Sequence, residues 1–163
     1  MEADVVCHLP FATCHYPVDI PSVYFSPQGG CTAAIIAALA VARSSVVVSA
    51  YEFTSSTIAC ALLAVRTRGA TVQVILDPTQ RYQRGSQSGL LSVNNIPVLY
   101  DPAHNIFHDK YMVIDSHLVL TGSFNFTTEA EYHNAENLIF IDSPQLAALY
   151  AANWLFHQAH SVP

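Results

Sequence analysis

The sequence predicts an α/β fold, a mixed β-sheet sandwiched between helices, over residues 22–163 behind an irregular N-terminal arm of residues 1–21. Three observations carry this reading. Strand-like runs rich in Val and Ile alternate with helical stretches in the first half of the chain, which is the pattern of an α/β layer. Later strands follow one another directly, as a mixed sheet requires. A length of 163 residues with 52% hydrophobic and 11% charged content is enough to bury a substantial core in one domain.

The elements follow in order. Val23-Tyr24-Phe25 reads as a short strand, and Ser26-Pro27-Gln28-Gly29-Gly30 as the turn into a helix over Cys31–Arg43. Ser45–Tyr51 is β-branched and largely apolar, as a central strand covered on both faces should be. Thr54-Ser55-Ser56 caps a helix over Ser56–Arg68 that Gly69 stops. Thr71–Leu76 is a strand ended by Asp77-Pro78, Thr79–Ser88 a polar loop, Gly89–Asn94 a short helix and Pro97–Tyr100 a short strand. A hairpin follows from His108, then a strand at Asn137–Ile141. The last helix, Pro144–Gln158, takes Ser143 as N-cap and Pro144 as its first residue.

The hydrophobic excess fits either close packing of helices on sheet or an extra surface hidden in an oligomer. Six Lys and Arg against twelve Asp and Glu give a formal charge of −6, which argues against broad electrostatic adhesion to nucleic acid or anionic membrane. A local basic groove stays compatible with that balance, and Arg81 and Arg84 lie close together in the polar loop, either guiding a polyanion or simply solvated. No apolar run approaches the ~18 residues of a spanning helix. The first 20 residues lack a signal peptide's basic start and apolar core, so the chain reads as soluble, with a periplasmic or secreted location open if it is a processed form. Cys31 and Cys60 fall in predicted helices and read as buried thiols. Cys7-His8 and Cys14-His15 leave three readings open: a zinc site, a disulfide, or two free thiols.

The chemistry concentrates in His108-Asp109-Lys110-Tyr111-Met112-Val113-Ile114-Asp115 and Gly122-Ser123-Phe124-Asn125. Strand alternation places His108, Lys110, Met112 and Ile114 on one face. With a two-residue turn at Asp115-Ser116, Lys110 falls opposite Thr121 and His108 opposite Ser123, and Asn125 follows on the same face. An imidazole, an ammonium, a hydroxyl and an amide then converge as a phosphate-binding and phosphorus-attacking set. Asp115 lies about 23 Å along the strand from His108 at ~3.3 Å per residue, so it reads as a turn or scaffold residue. Ser123 and Asn125 are also ordinary turn residues. Tyr51, Glu52 and Phe53 either line the cleft or pack the core. His104, His117 and His133 read as solvated loop histidines.

The spacing H-x-K-x4-D-x6-G-S-x-N resembles the HKD signature of the phospholipase D superfamily, a pattern expected by chance in on the order of one chain in a million. Phe25-Ser26-Pro27 with Gly29, Ala50-Tyr51-Glu52-Phe53-Thr54, Arg68-Gly69, Gly122-Ser123-Phe124-Asn125-Phe126-Thr127 and Glu136-Asn137 are similar to the small, single-motif bacterial endonucleases of that superfamily. The resemblance covers residues 22–158 and implies a phospholipase D-like fold. It implies that two motifs meet across a two-fold axis. Because this chain holds one copy, a homodimer with a composite site follows. It implies His108 as nucleophile and, from the second subunit, as general acid. Lys110, Ser123 and Asn125 would bind phosphate, and Glu136 would accept a hydrogen bond from the histidine. No metal or other cofactor is implied. The expected activity is a phosphodiesterase, foremost a non-specific endonuclease on DNA or RNA. The alternatives are hydrolysis of a phospholipid or small phosphodiester, and a non-catalytic binding subunit.

Overall fold

The computed structural model describes residues 22–163; the predicted arm of residues 1–21, with Cys7 and Cys14, lies outside the described residues. Seven strands form one sheet: β1 (Ser22–Ser26), β2 (Ser45–Ala50), β3 (Thr71–Leu76), β4 (Val98–Tyr100), β5 (Lys110–Ile114), β6 (Leu118–Gly122) and β7 (Glu136–Asp142). Their order across the sheet is β1-β7-β6-β5-β2-β3-β4. β2, β3 and β4 run parallel, while β5, β6, β7 and β1 add successively antiparallel, so the sheet is mixed as the sequence predicts.

Helices α1 (Cys31–Val41), α2 (Ser56–Thr67) and α3 (Ser88–Val93) cover one face, and α5 (Pro144–Gln158) the other; α4 (Thr128–Tyr132) is a short helix between β6 and β7. Alternation along β2 explains the division. Val46 and Val48 join Ile35, Leu39, Ile58 and Leu62 in the larger core. Val47 packs against the smaller core that Trp154 and Ala147 of α5 form with Ile75, Val113 and Val119. Trp154 Nε1 donates to the Val48 carbonyl at 3.0 Å, fastening α5 to the central strand.

Several boundaries differ from expectation for local reasons. α1 ends at Val41 rather than Arg43, because Ala42 turns to an extended conformation and the next backbone N–H groups bond to Asp115. The loop after β3 contains a 3-10 turn over Pro78–Arg81, whose start Asp77 caps by accepting from Thr79 N–H. α4 arises where no element is predicted, with Thr127 as its N-cap. Cys60 is exposed rather than buried. Cys31 is buried, and that burial, reinforced by the Glu131 carboxylate, pushes its thiol up to about 12.

The hairpin register also differs. Ile114 faces Leu118 and Tyr111 faces Thr121, so the loop holds Asp115, Ser116 and His117, and Lys110 is not opposite Thr121. Asp115 and Ser116 both take left-handed conformations, with φ 51° and 59°, and the extra residue moves the partner strand by one. His108 precedes β5 instead of lying within it. These shifts remove the strand-alternation argument for Ser123 facing the lysine.

Candidate active site

One edge of the sheet collects the chemistry. Ala50 pairs with Lys110 and with Leu76, and Leu76 with Tyr100, so the C-terminal ends of the parallel strands meet the start of β5 there. Gly122 at the end of β6 pairs with Leu138 near the start of β7, bringing Ser123 and Glu136 to the same edge. Ligands of open α/β sheets bind at this kind of edge.

His108 is exposed at the mouth of this edge, and its ring lies 4.7 Å from that of Tyr51. The preceding residue is anchored. Phe107 N–H donates to the buried Asp77 carboxylate at 2.9 Å, and the Phe107 ring sits in the smaller core. Tyr51 N–H donates to the Asp109 carbonyl at 2.9 Å, which extends the β2–β5 ladder past its last formal pair. The backbone on either side of His108 is thus tied down, at Phe107 and at Asp109.

Lys110 is 8% exposed. Its Nζ donates to the His108 carbonyl at 2.6 Å and lies 5.0 Å from the Tyr51 ring centroid. Burial draws its pKa below the ordinary lysine value, while the carboxylates of Asp109, Glu136 and Glu52 oppose that shift. Among the described residues no carboxylate lies within ion-pair distance of it, which leaves the ammonium free for an incoming anion.

Ser123 and Glu136 form a direct pair. The Ser123 hydroxyl donates to Glu136 Oε2 at 2.5 Å and accepts from Asn137 N–H at 3.1 Å. Glu136 Oε1 accepts from Asn134 Nδ2 at 3.1 Å. Among the described residues of the single chain no hydrogen bond joins Glu136 to His108; the Glu136 carboxylate accepts from Ser123 and Asn134. Gly122 makes this geometry possible, since a Cβ there would meet the Asn137 carbonyl oxygen at 2.2 Å. Asn125 Oδ1 is buried and without a hydrogen-bond partner among the described residues, an unspent polar group in the loop after β6.

Asp115 sits at the opposite end of β5. Its carboxylate accepts from the backbone N–H of Arg43, Ser44 and Ser45 and from the Ser44 hydroxyl, at 2.7 to 3.0 Å. Burial works against its ionisation, but these four donors outweigh that and hold its carboxyl at about 2. His117 pairs with Asp142, also away from the cleft, at 2.9 Å. Two contributors escaped sequence reasoning. Asp77 anchors Phe107 and is signalled only by its place at a strand end before proline. Glu131 caps α1, accepting from Gly30 and Thr32 N–H at 3.0 and 2.6 Å.

A groove beside His108 and Lys110 runs along Thr121, Leu146, Leu149 and Tyr150. An exposed imidazole beside a buried ammonium at the ends of the strands is a pairing suited to a phosphate ester. A family model described as "Cardiolipin synthase, PLD-like domain" matches residues 35–155. The chain is 39% identical over 140 residues to a phospholipase D of Rickettsia bellii (strain RML369-C), covering 86% of this chain and 70% of the relative. It is 33% identical over 116 residues to the mitochondrial cardiolipin hydrolase of Mus musculus, covering 71% of this chain and 52% of that protein. Among solved structures, Nuc from Salmonella typhimurium, a phospholipase D family member, superposes with TM-score 0.81 at 33% identity, covering 87% of this chain and 97% of that one. The chain belongs to the phospholipase D superfamily, in its Nuc-like branch, and is an enzyme of the phosphodiesterase class. Among the described residues no helix is long and apolar enough to cross a membrane.

Proposed function

We propose that this protein is a metal-independent endonuclease that hydrolyses DNA or RNA through a covalent phosphohistidine at a homodimer interface. The observation that carries the reading is the buried, unpaired Lys110 ammonium beside an exposed His108, at an edge with no second motif in the chain. The site needs a second histidine, and a second copy of the chain supplies it.

Neutral His108 of one subunit attacks phosphorus, forming a P–N bond as the P–O bond to the leaving group breaks. His108 of the partner subunit, protonated, gives its proton to the departing oxygen. It then takes a proton from a water molecule as the water oxygen attacks phosphorus and the P–N bond breaks, returning the nucleophilic His108 to its neutral form. The two imidazoles thus hold opposite protonation states in the first step. Lys110 and Asn125, with Ser123, stabilise the charge on the non-bridging oxygens. Glu136 acts as a positioning residue through Ser123, and Asp115 as scaffold. Exposed Leu149, Leu155 and Phe156 on α5 support a covered surface.

A second reading has its own support. The formal charge of −6 disfavours polyanion binding, and Leu146, Leu149 and Tyr150 make the groove partly apolar, as a lipid phosphodiester would require. The test compares wild type with His108→Ala on plasmid, single-stranded DNA and phospholipid vesicles, without added divalent ion. DNA cleavage that is lost in the variant and weakens with salt supports the nuclease. Intact DNA with cleaved lipid moves the assignment to the lipid.

A further inference from the structure

Four side chains outside the catalytic residues converge beyond the end of β4. Asp101 and His104 come from the loop after β4, and His157 and His160 from the end of α5 and just past it. The Asp101 carboxylate is fully buried. Its Oδ2 lies 2.8 Å from His157 Nδ1, 3.0 Å from His104 Nδ1 and 3.1 Å from His160 Nε2. The three ring centroids form a nearly equilateral triangle, with separations of 5.1, 5.5 and 5.5 Å. One ligand atom from each residue falls within 4.8 Å of all the others.

Hydrogen bonding alone explains this cluster poorly. Three imidazoles crowd one carboxylate: His157 and His160 meet only its Oδ2, His104 Nδ1 lies 3.0 Å from Oδ2 and 3.2 Å from Oδ1, and Oδ1 also accepts from Ala103 N–H at 2.9 Å. Three imidazole nitrogens and one carboxylate oxygen are instead a full set of tetrahedral ligands. Zinc bonds of 2.0–2.2 Å would separate neighbouring donors by about 3.3 Å, beside oxygen–nitrogen spacings of 2.8 to 3.1 Å here and four ligand atoms that all lie within 4.8 Å of one another. The sequence carries the ligands as two pairs of equal spacing, Asp101-x2-His104 and His157-x2-His160. The far nitrogen of His157 faces the Asp109 carboxylate at 3.9 Å, longer than a hydrogen bond.

We infer that Asp101, His104, His157 and His160 form a structural site for a divalent transition ion of the zinc class. Imidazole and carboxylate donors without thiolate suit zinc, and four protein ligands close the site to chemistry. The ion would tie the loop after β4 to the end of α5. That loop runs on to His108, and Asp109 beside it faces His157, so the site stiffens the approach to the catalytic edge without entering the reaction. This inference stands whether or not the phosphodiester reading holds.

The experiment uses the full chain without a histidine tag. Zinc is titrated by equilibrium dialysis into wild type, His104→Gln and His160→Gln, and cobalt substitution is followed by visible spectroscopy. His104 is the choice least threatening to folding, because its side chain is 43% exposed. The expected result is one zinc per wild-type chain and the d–d absorption of tetrahedral cobalt. Each variant should weaken binding by more than roughly the 100-fold that an outer partner costs. Zinc should also raise the melting temperature of wild type but not of His104→Gln. A wild-type chain that takes up neither ion overturns the site. So does zinc binding that is unchanged in both variants and lost in Cys7→Ser/Cys14→Ser.

Discussion

The Ser123 hydroxyl donates to Glu136 Oε2 across 2.5 Å, joining the loop after β6 to the start of β7. Under the proposed mechanism this bond should couple the two residues in function. Ser123→Ala and Glu136→Gln should each lower the rate on a chromogenic aryl phosphodiester, Ser123→Ala by on the order of 10²-fold. The double variant should lose less than the product of the single losses. A double-variant loss equal to that product separates the two roles.

If Lys110 binds the phosphate as proposed, it should give the rate profile an alkaline limb. Because burial lowers its pKa, the ammonium is lost at a lower pH than for an ordinary lysine. Activity that depends on that charge should therefore fall as pH rises, with a midpoint below the usual value of about 10.4. Lys110→Arg, whose charge persists, should remove this limb while lowering the maximal rate. A limb that persists in Lys110→Arg belongs to another group.

Asp115 carries a stability prediction with a definite sign. Its carboxyl lies below the unfolded value, so its contribution is present above about pH 4 and is lost as pH falls through about 2. Asp115→Asn keeps a residue tolerant of the left-handed conformation and removes the charge. Denaturant unfolding at neutral pH should show a loss of about 1–3 kcal/mol, from weakened charge-assisted hydrogen bonds. The gap between wild type and variant should close toward pH 2. The rate per folded molecule should hardly change, and a large fall would return Asp115 to the chemistry.

Gly122→Ala places a methyl where the Asn137 carbonyl oxygen would lie 2.2 Å away. The β6–β7 pair must open to accept it, at a cost of ~1–3 kcal/mol. The same shift displaces Ser123, so the melting temperature and the rate should fall together.

Much of the fold is legible where local signals are strong. The β-branched run of β2 and the Ser143-Pro144 start of α5 announce their elements without help from tertiary structure. The hairpin register is not legible. It depends on Asp115 reaching the backbone of residues 43–45, a contact between segments about 70 positions apart in the chain. His108 and Lys110 are evident from their spacing, but the Ser123–Glu136 bond is made by β6–β7 pairing. The four-residue cluster at Asp101 was hidden similarly. Each of its pairs is local, yet their meeting requires α5 to return along the sheet to the end of β4.

The most direct measurement mixes wild-type and His108→Ala chains in equal amounts, allows subunits to exchange, and follows cleavage of a chromogenic aryl phosphodiester. A composite site needs both histidines, so only wild-type pairs should work, and activity should settle near about one quarter of that of an all-wild-type sample. Activity of about one half means that each chain acts alone, which contradicts a shared site at the dimer interface.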